Sequence, residues 1–244
     1  MFGIILATVS AVCLFIYKEI TFIPAHFYKN KKKKTFTARK NLRDISCCFL
    51  KVLGTKVEVV YKDKEAFEHL NREKGIVLIA NHQSNFDIPV ILSGIKFDLG
   101  FVAKKEMESW PFFHRWMRRG KYIFLDRSNP REGIKSIKKA VKIVKEGYPT
   151  VIFPEGERSL TGKILNFKKG SFKLATETNG IIVPLTLKGT YDIQPRGTLK
   201  MARGKKVTLV VDEPIFVKNL SKDEEKVLAT TVRDKIVENF EKIK

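Results

Sequence analysis

Only three of the 244 residues are cysteine, and Cys13, Cys47 and Cys48 all fall within the first 48 positions. Their spacing matches no metal-ligand pattern, and no catalytic partner motif accompanies them. They read as reduced apolar residues facing lipid or core. Acidic residues are scarce as well: 26 Asp and Glu stand against 47 Lys and Arg, a formal net charge of +21. Such a molecule is drawn to polyanions, and on charge alone either nucleic acid or anionic lipid qualifies. No recognised nucleic-acid module occurs, which turns the expectation toward lipid and away from nucleic acid. Nothing in the chain repeats, so a solenoid is excluded, and the length suits one sizeable α/β domain with appendages.

The single long apolar run lies at the start. Met1 to Tyr17 carries no charge and, as a helix, reaches roughly 26 Å, just short of a hydrocarbon core of about 30 Å. Crossing is therefore marginal. The run opens without a basic region and is followed by Lys18 and Glu19, which argues for a retained anchor and against a cleaved signal. Beyond a second apolar piece, Ile20 to Tyr28, come Lys29 and Lys31 to Lys34. Arg39, Lys40 and Arg43 then interleave with Phe36, Leu42, Ile45, Phe49 and Leu50. A helix of this composition can lie on a bilayer with its ammonium groups at lipid phosphates. The division expected is a membrane-anchoring helical segment over 1–53 and a catalytic domain over 54–244. Either a signal anchor or a re-entrant helical pair leaves that domain on the cytoplasmic side, at the inner membrane if the source is bacterial.

In the rest of the chain, short β-branched runs alternate with helical patterns, as expected of a central, largely buried sheet flanked by helices. Strands are expected at Val57 to Tyr61, Gly75 to Ala80, Leu99 to Ala103, Tyr122 to Leu125, Thr150 to Phe153 and Lys206 to Val211. Helices are expected at Asp63 to Lys74, from Asp87 to Leu92, and from Pro130, capped by Asn129, to about Glu146. The last of these is amphipathic, with Ile134, Ile137, Val141 and Val144 inward and Lys135, Lys138, Lys139, Lys142 and Lys145 solvated. Trp110 to Met117 suits a packed or membrane-facing helix. Ser221 and Glu224 form a capping box that opens a C-terminal helix to about Ile243.

Candidate chemistry gathers at strand ends, where open α/β sheets bind ligands. His82 follows the run Gly75 to Ala80, and Asp87 stands five positions later. That spacing separates them on a regular helix, but a turn at Gln83, Ser84 and Asn85 can return the carboxylate to the ring. A carboxylate on one ring nitrogen fixes the tautomer and leaves the other nitrogen free to take a hydroxyl proton. The plainer alternative is that Asp87 only caps the next helix. Lys104 and Lys105 end another strand. In Pro154-Glu155-Gly156-Glu157-Arg158-Ser159, glycine between an acid and an arginine admits a phosphate to backbone N–H groups and a guanidinium, while the carboxylate can accept from a ligand hydroxyl.

Taken in order, NHQSNFD, the FVAKKE and FLDRS segments, FPEGERS and Ile182-Val183-Pro184-Leu185 resemble the motif series of the glycerophospholipid acyltransferases, the 1-acylglycerol-3-phosphate acyltransferases among them. The resemblance covers roughly Lys56 to Thr190, and Lys168 to Phe172 also resembles the family's stretch after the third block. Glu157 departs from it, since the family more often carries threonine or another small residue there, and this bears on the choice of acceptor. The resemblance implies transfer of an acyl group from acyl-CoA or acyl-acyl carrier protein to the free sn-2 hydroxyl of lysophosphatidic acid, without metal or cofactor. His82 would be the base and Asp87 its orienting partner. Lys104, Arg127 and Arg158 would face the acceptor phosphate, with Lys105 a further candidate and Glu155 and Gly156 at the glycerol. Glycerol 3-phosphate or another lysophospholipid is the alternative acceptor. A basic lipid- or nucleic-acid-binding protein without catalysis is the non-enzymatic alternative.

Overall fold

The computed structural model describes residues 2–71, 75–110, 113–126 and 129–243. Two helices come first, α1 (Phe2–Thr21) and α2 (Lys31–Val52), joined through a short 3-10 turn at Ile23–Phe27. Then follow β1 (Lys56–Tyr61), α3 (Lys64–Glu68), β2 (Ile76–Ala80), α4 (Asp87–Gly94), β3 (Gly100–Lys104), α5 (Phe113–Arg119) and β4 (Ile123–Leu125). The chain continues as α6 (Pro130–Lys145), β5 (Thr150–Ile152), α7 (Lys173–Thr176), β6 (Ile181–Lys188), α8 (Thr190–Ile193), β7 (Lys206–Val211), β8 (Ile215–Phe216) and α9 (Lys222–Lys242).

The strands form one mixed sheet in the order β1-β7-β6-β2-β5-β3-β4, with β8 pairing β6. From β6 to β4 all neighbours are parallel, whereas β7 runs antiparallel to β6 and carries β1 parallel to itself. Strand alternation divides the interior into two layers. Ile76, Leu78 and Ala80 point into the layer closed by α1, α2, α4 and α5; Val77 and Ile79 point into the layer closed by α6, α7 and α9. Because β2, β5, β3 and β4 are parallel, their carboxyl ends meet at one edge of the sheet, and the loops after them bring the separate sequence motifs together.

The α/β layering agrees with the sequence, and three local expectations change. The helix expected to reach Lys74 stops at Glu68: among the described residues of that stretch only Phe67 and Leu70 offer buried apolar contact, and Arg72 to Lys74 lie outside the described residues. A 3-10 turn at Lys105–Ser109 precedes α5, and Pro111 and Phe112 lie outside the described residues. The largest change concerns the amino-terminal pair of helices. Among the described residues no helix is long and apolar enough to cross a membrane. Moreover, α2 is part of the main core: Ala38, Leu42, Ile45 and Leu50 lie in one buried cluster with Val90 and Ile91 of α4. Arg39, fully buried, donates from Nε to the Gly120 carbonyl at 2.7 Å and from Nη1 to the Asp98 and Pro149 carbonyls at 3.0 and 2.9 Å. It thereby pins α2 to the chain entering β3, β4 and β5. Residue 53 is not a boundary between two cores.

Candidate active site

The loop after β2 is held residue by residue. Asn81 exchanges two hydrogen bonds with the backbone of Leu187 on β6, its Nδ2 donating at 2.9 Å and its Oδ1 accepting at 2.8 Å. Gln83 Nε2 donates to the Gly162 carbonyl at 2.6 Å, and Ser84 Oγ and Asn85 Nδ2 donate to Gln194. The His82 ring keeps one nitrogen, Nε2, without a partner among the described residues, as do the buried Gln83 Oε1 and Asp87 Oδ1. Its other nitrogen, Nδ1, lies 2.7 Å from Asp87 Oδ2. The same oxygen accepts from the backbone N–H groups of Gln83 and Ser84 at 2.7 and 2.9 Å. Asp87 therefore closes the turn and orients the ring at once, but it does not cap the next helix: it is the first residue of α4, whose cap position is Phe86 with no side-chain bond. A buried carboxylate accepts and does not donate, which places the imidazole proton on Nδ1 and a lone pair on Nε2. Phe153 stacks on the imidazole at 4.0 Å between centroids and 15° between planes, fixing the ring from the β5 side.

The third motif braces this pair from below. Glu155 is 3% exposed. Its Oε1 accepts from the His82 N–H at 2.6 Å and its Oε2 from the Leu165 N–H at 2.9 Å, while Ser159 N–H returns a bond to the His82 carbonyl at 2.8 Å. Burial pushes the Glu155 carboxyl up to about 7, against those two N–H donors, which favour the charged form. The carboxylate expected at an acceptor glycerol is thus occupied by the protein's own backbone, and Glu155 acts on the site through the position of His82. Gly156 has φ +82°, a backbone conformation that favours glycine, and a side chain there would meet the mobile end of Lys168, with Nζ at 2.7 Å.

The cations sort by what already holds them. Lys105 Nζ donates to Asp126 Oδ2 at 2.8 Å, which raises its pKa and occupies the ammonium group. Lys104 is exposed at the last position of β3. Arg127 lies outside the described residues. Arg158 is half-buried, and its guanidinium makes no hydrogen bond or ion pair among the described residues; burial first, then the neighbouring Arg196, lowers its pKa, and the nearby Asp87 opposes them. Arg196, invisible to motif reading because it follows β6 by several residues, donates to the Arg158 carbonyl at 2.6 Å and to Glu157 Oε2 at 2.8 Å. Glu157, the departure noted in the sequence, thus has a partner: it holds Arg196 beside Arg158. Arg196, Lys168 and Phe153 are the additions the fold makes to the sequence-derived site. Lys168 and Phe153 lie in stretches that the sequence marks, Phe153 as the first residue of FPEGERS, whereas Arg196 has no signal there.

A lone pair held at a strand edge, with an arginine in electrostatic reach of the Asp87 that orients it, suits proton removal from a hydroxyl on an anionic substrate. The family model described as Acyltransferase matches residues 59–188. The chain is 34% identical over 205 residues to the 1-acyl-sn-glycerol-3-phosphate acyltransferase of Saccharomyces cerevisiae, covering 80% of this chain and 65% of that protein. It is 32% identical over 179 residues to the chloroplastic enzyme of that name from Arabidopsis thaliana, covering 72% and 48%. It is 30% identical over 206 residues to a protein of Mycoplasma pneumoniae named as a probable enzyme of the same kind, covering 79% and 74%. The chain thus spans about half the length of the chloroplastic relative. Among solved structures, the 1-acyl-sn-glycerophosphate acyltransferase of Thermotoga maritima superposes with a TM-score of 0.80 at 25% identity, covering 99% of this chain and 97% of that one.

Proposed function

Since the chain belongs to the acyltransferase family, we propose that it moves a fatty acyl group from a thioester to the free sn-2 hydroxyl of lysophosphatidic acid, giving phosphatidic acid for phospholipid synthesis. The observation that carries this reading is the 2.7 Å contact between His82 Nδ1 and Asp87 Oδ2, with Nε2 left without a partner among the described residues and Arg158 within electrostatic reach of Asp87. In the reaction, Nε2 takes the hydroxyl proton as the acceptor oxygen attacks the thioester carbonyl. The tetrahedral intermediate collapses by breaking the carbon–sulfur bond, and the imidazolium returns its proton to the leaving thiolate. An ester forms, a thioester breaks, and a free thiol departs. No residue of the chain is acylated on the way, and no cofactor takes part. Asp87 stabilises the transient imidazolium, while Arg158, with Lys104, Arg127 and Lys168, supplies positive charge for the acceptor phosphate.

The reading includes a membrane location. Val12, Ile16, Tyr17, Ile20 and Ile23 are more than half exposed, and Phe27 is 82% exposed. Lys29 and Lys31 to Lys34 follow directly and are solvated, Lys34 partly so. Such a helix lies in the interface of an anionic leaflet, with the catalytic domain on the cytoplasmic side.

The test is transfer measured with lysophosphatidic acid, glycerol 3-phosphate and other lysophospholipids as acceptors. Wild type is expected to favour lysophosphatidic acid. His82→Ala should lower turnover by roughly 10² to 10⁴-fold, the usual contribution of a positioned base, without changing the circular dichroism spectrum. Near-normal turnover in that variant would refute the mechanism, and preference for another acceptor would refute the substrate.

A further inference from the structure

Helix α6 presents a solvent face of one sign. Lys135, Lys138, Lys139, Lys142 and Lys145 are exposed and recur at helical spacing over about 15 Å of axis. Glu132 is the one acid within the helix, and it pairs with Lys135 at 2.7 Å. Lys138, Lys139 and Lys142 have no ion pair among the described residues. Like charges three and four residues apart cost a helix stability. Helix α9, on the same layer, avoids this by mixing Asp223, Glu224, Glu225, Asp234, Glu238 and Glu241 with its lysines. The stripe continues past Lys145 into an open cleft of about 530 Å³ lined by Lys31, Lys32, Lys121, Glu146 and Tyr148, where Glu146 pairs with Lys121.

Position separates this surface from the bilayer. The α6 lysines lie outside one layer of the sheet, and the apolar face of α1 lies outside the opposite layer. A membrane that covers α1 reaches the stripe only at the cleft that Lys31 and Lys32 share with Lys145, and leaves Lys135, Lys138, Lys139 and Lys142 facing the aqueous side. The amino-terminal turn of α6 also follows β4, whose Leu125 stands in register with Lys104, at the edge that carries His82. A row of charge this long matches a partner with carboxylates spread along a surface better than a single phosphate cluster.

We infer that the exposed face of α6 docks an acidic carrier protein that brings the acyl thioester to the His82 edge. The inference deepens the acyl-transfer reading and rests on it for the role of the partner. It is tested on the full chain with the triple variant Lys138→Glu, Lys139→Glu, Lys142→Glu, none of which belongs to the catalytic machinery. With fatty-acylated acyl carrier protein as donor, kcat/KM should fall roughly 10-fold or more, the scale of electrostatic steering, and the arginine triple variant should restore it. With acyl-CoA the rate should stay at the wild-type value. Equal loss with both donors, or no loss with the carrier, overturns the docking surface. Binding of labelled carrier protein, read by fluorescence anisotropy without acceptor, decides the point even if wild type transfers from neither donor, a result that would instead sink the proposed function. Loss of binding to phosphatidylglycerol vesicles with carrier binding intact would make the stripe a lipid contact and refute the inference.

Discussion

Glu155 has both carboxylate oxygens taken by backbone N–H groups and only 3% of its surface exposed, so its substitution bears on the placement of His82 and not on a substrate contact. In Glu155→Gln one amide N–H group must face a backbone N–H, and a buried donor left unpaired costs about 1 to 3 kcal/mol. The expected result is a lower Tm and a fall in kcat with little change in acceptor KM. The pH dependence has a definite sign. Burial raises the folded pKa from 4.5 to about 7, so the folded chain holds a proton that the unfolded chain releases. The stability this gives is complete below about 4.5 and is lost as pH rises through about 7. Glutamine does not titrate, so the Tm deficit of the variant should narrow over that window; a constant deficit would mean that Glu155 is not the titrating group. At Arg158, alanine should raise the KM for lysophosphatidic acid about 10-fold or more, as expected from losing a charged hydrogen bond, and leave the thioester KM alone. A selective rise in the thioester KM would move the arginine to the donor's phosphates. His82 and Asp87 were legible in the sequence because one tight turn joins them. Arg196 was not, because it reaches Arg158 only through the return of the chain after β6.

Helix α2 illustrates how far an element can be read from its pattern. Its amphipathicity was plain, but the same interleaving of basic and apolar residues suits a bilayer surface and a protein surface. What decides between them is Arg39, whose side chain reaches three carbonyls that enter different strands. Sequence gives no sign that these carbonyls converge. Helix α6 starts at the Asn129 cap and Pro130 that the sequence marks, because those signals act locally, although Ile134, expected inward, is 58% exposed. Arg39→Ala should destabilise the fold by at least about 3 kcal/mol, since three buried acceptors lose a charged donor. Arg39→Lys should not rescue it, because one ammonium group cannot reproduce the planar fork. Chemical denaturation measures both. Deletion of residues 1–51 removes that clamp together with Leu42, Ile45 and Leu50 from the core shared with α4. The shortened chain is expected to lose cooperative unfolding along with activity. A folded, active product would show that α2 is an appendage after all.

For the molecule as a whole, the question is which force holds it at a membrane. A basic residue near an anionic surface contributes about 1 kcal/mol and is screened by salt. A large apolar side chain fully removed from water contributes roughly 1.5 to 3 kcal/mol and is not screened. On α1 and the turn after it, Ile16, Ile20, Ile23 and Phe27 are open to solvent, whereas Phe15 and Phe22 pack against Trp116 and hold the helix on the domain. The apolar face should therefore dominate, with the lysines at 31–34 setting the preference for anionic lipid. In vesicle sedimentation the full-length protein is expected to stay bound at high salt. Ile16→Glu with Ile20→Glu should release it, while glutamine at the four lysines should weaken binding only at low salt. The same pair of glutamates should leave the fold intact, because both side chains already face outward. Complete release of the unaltered protein by salt alone would overturn the apolar account and leave the net charge of +21 as the force that brings the His82 edge to its lipid substrate.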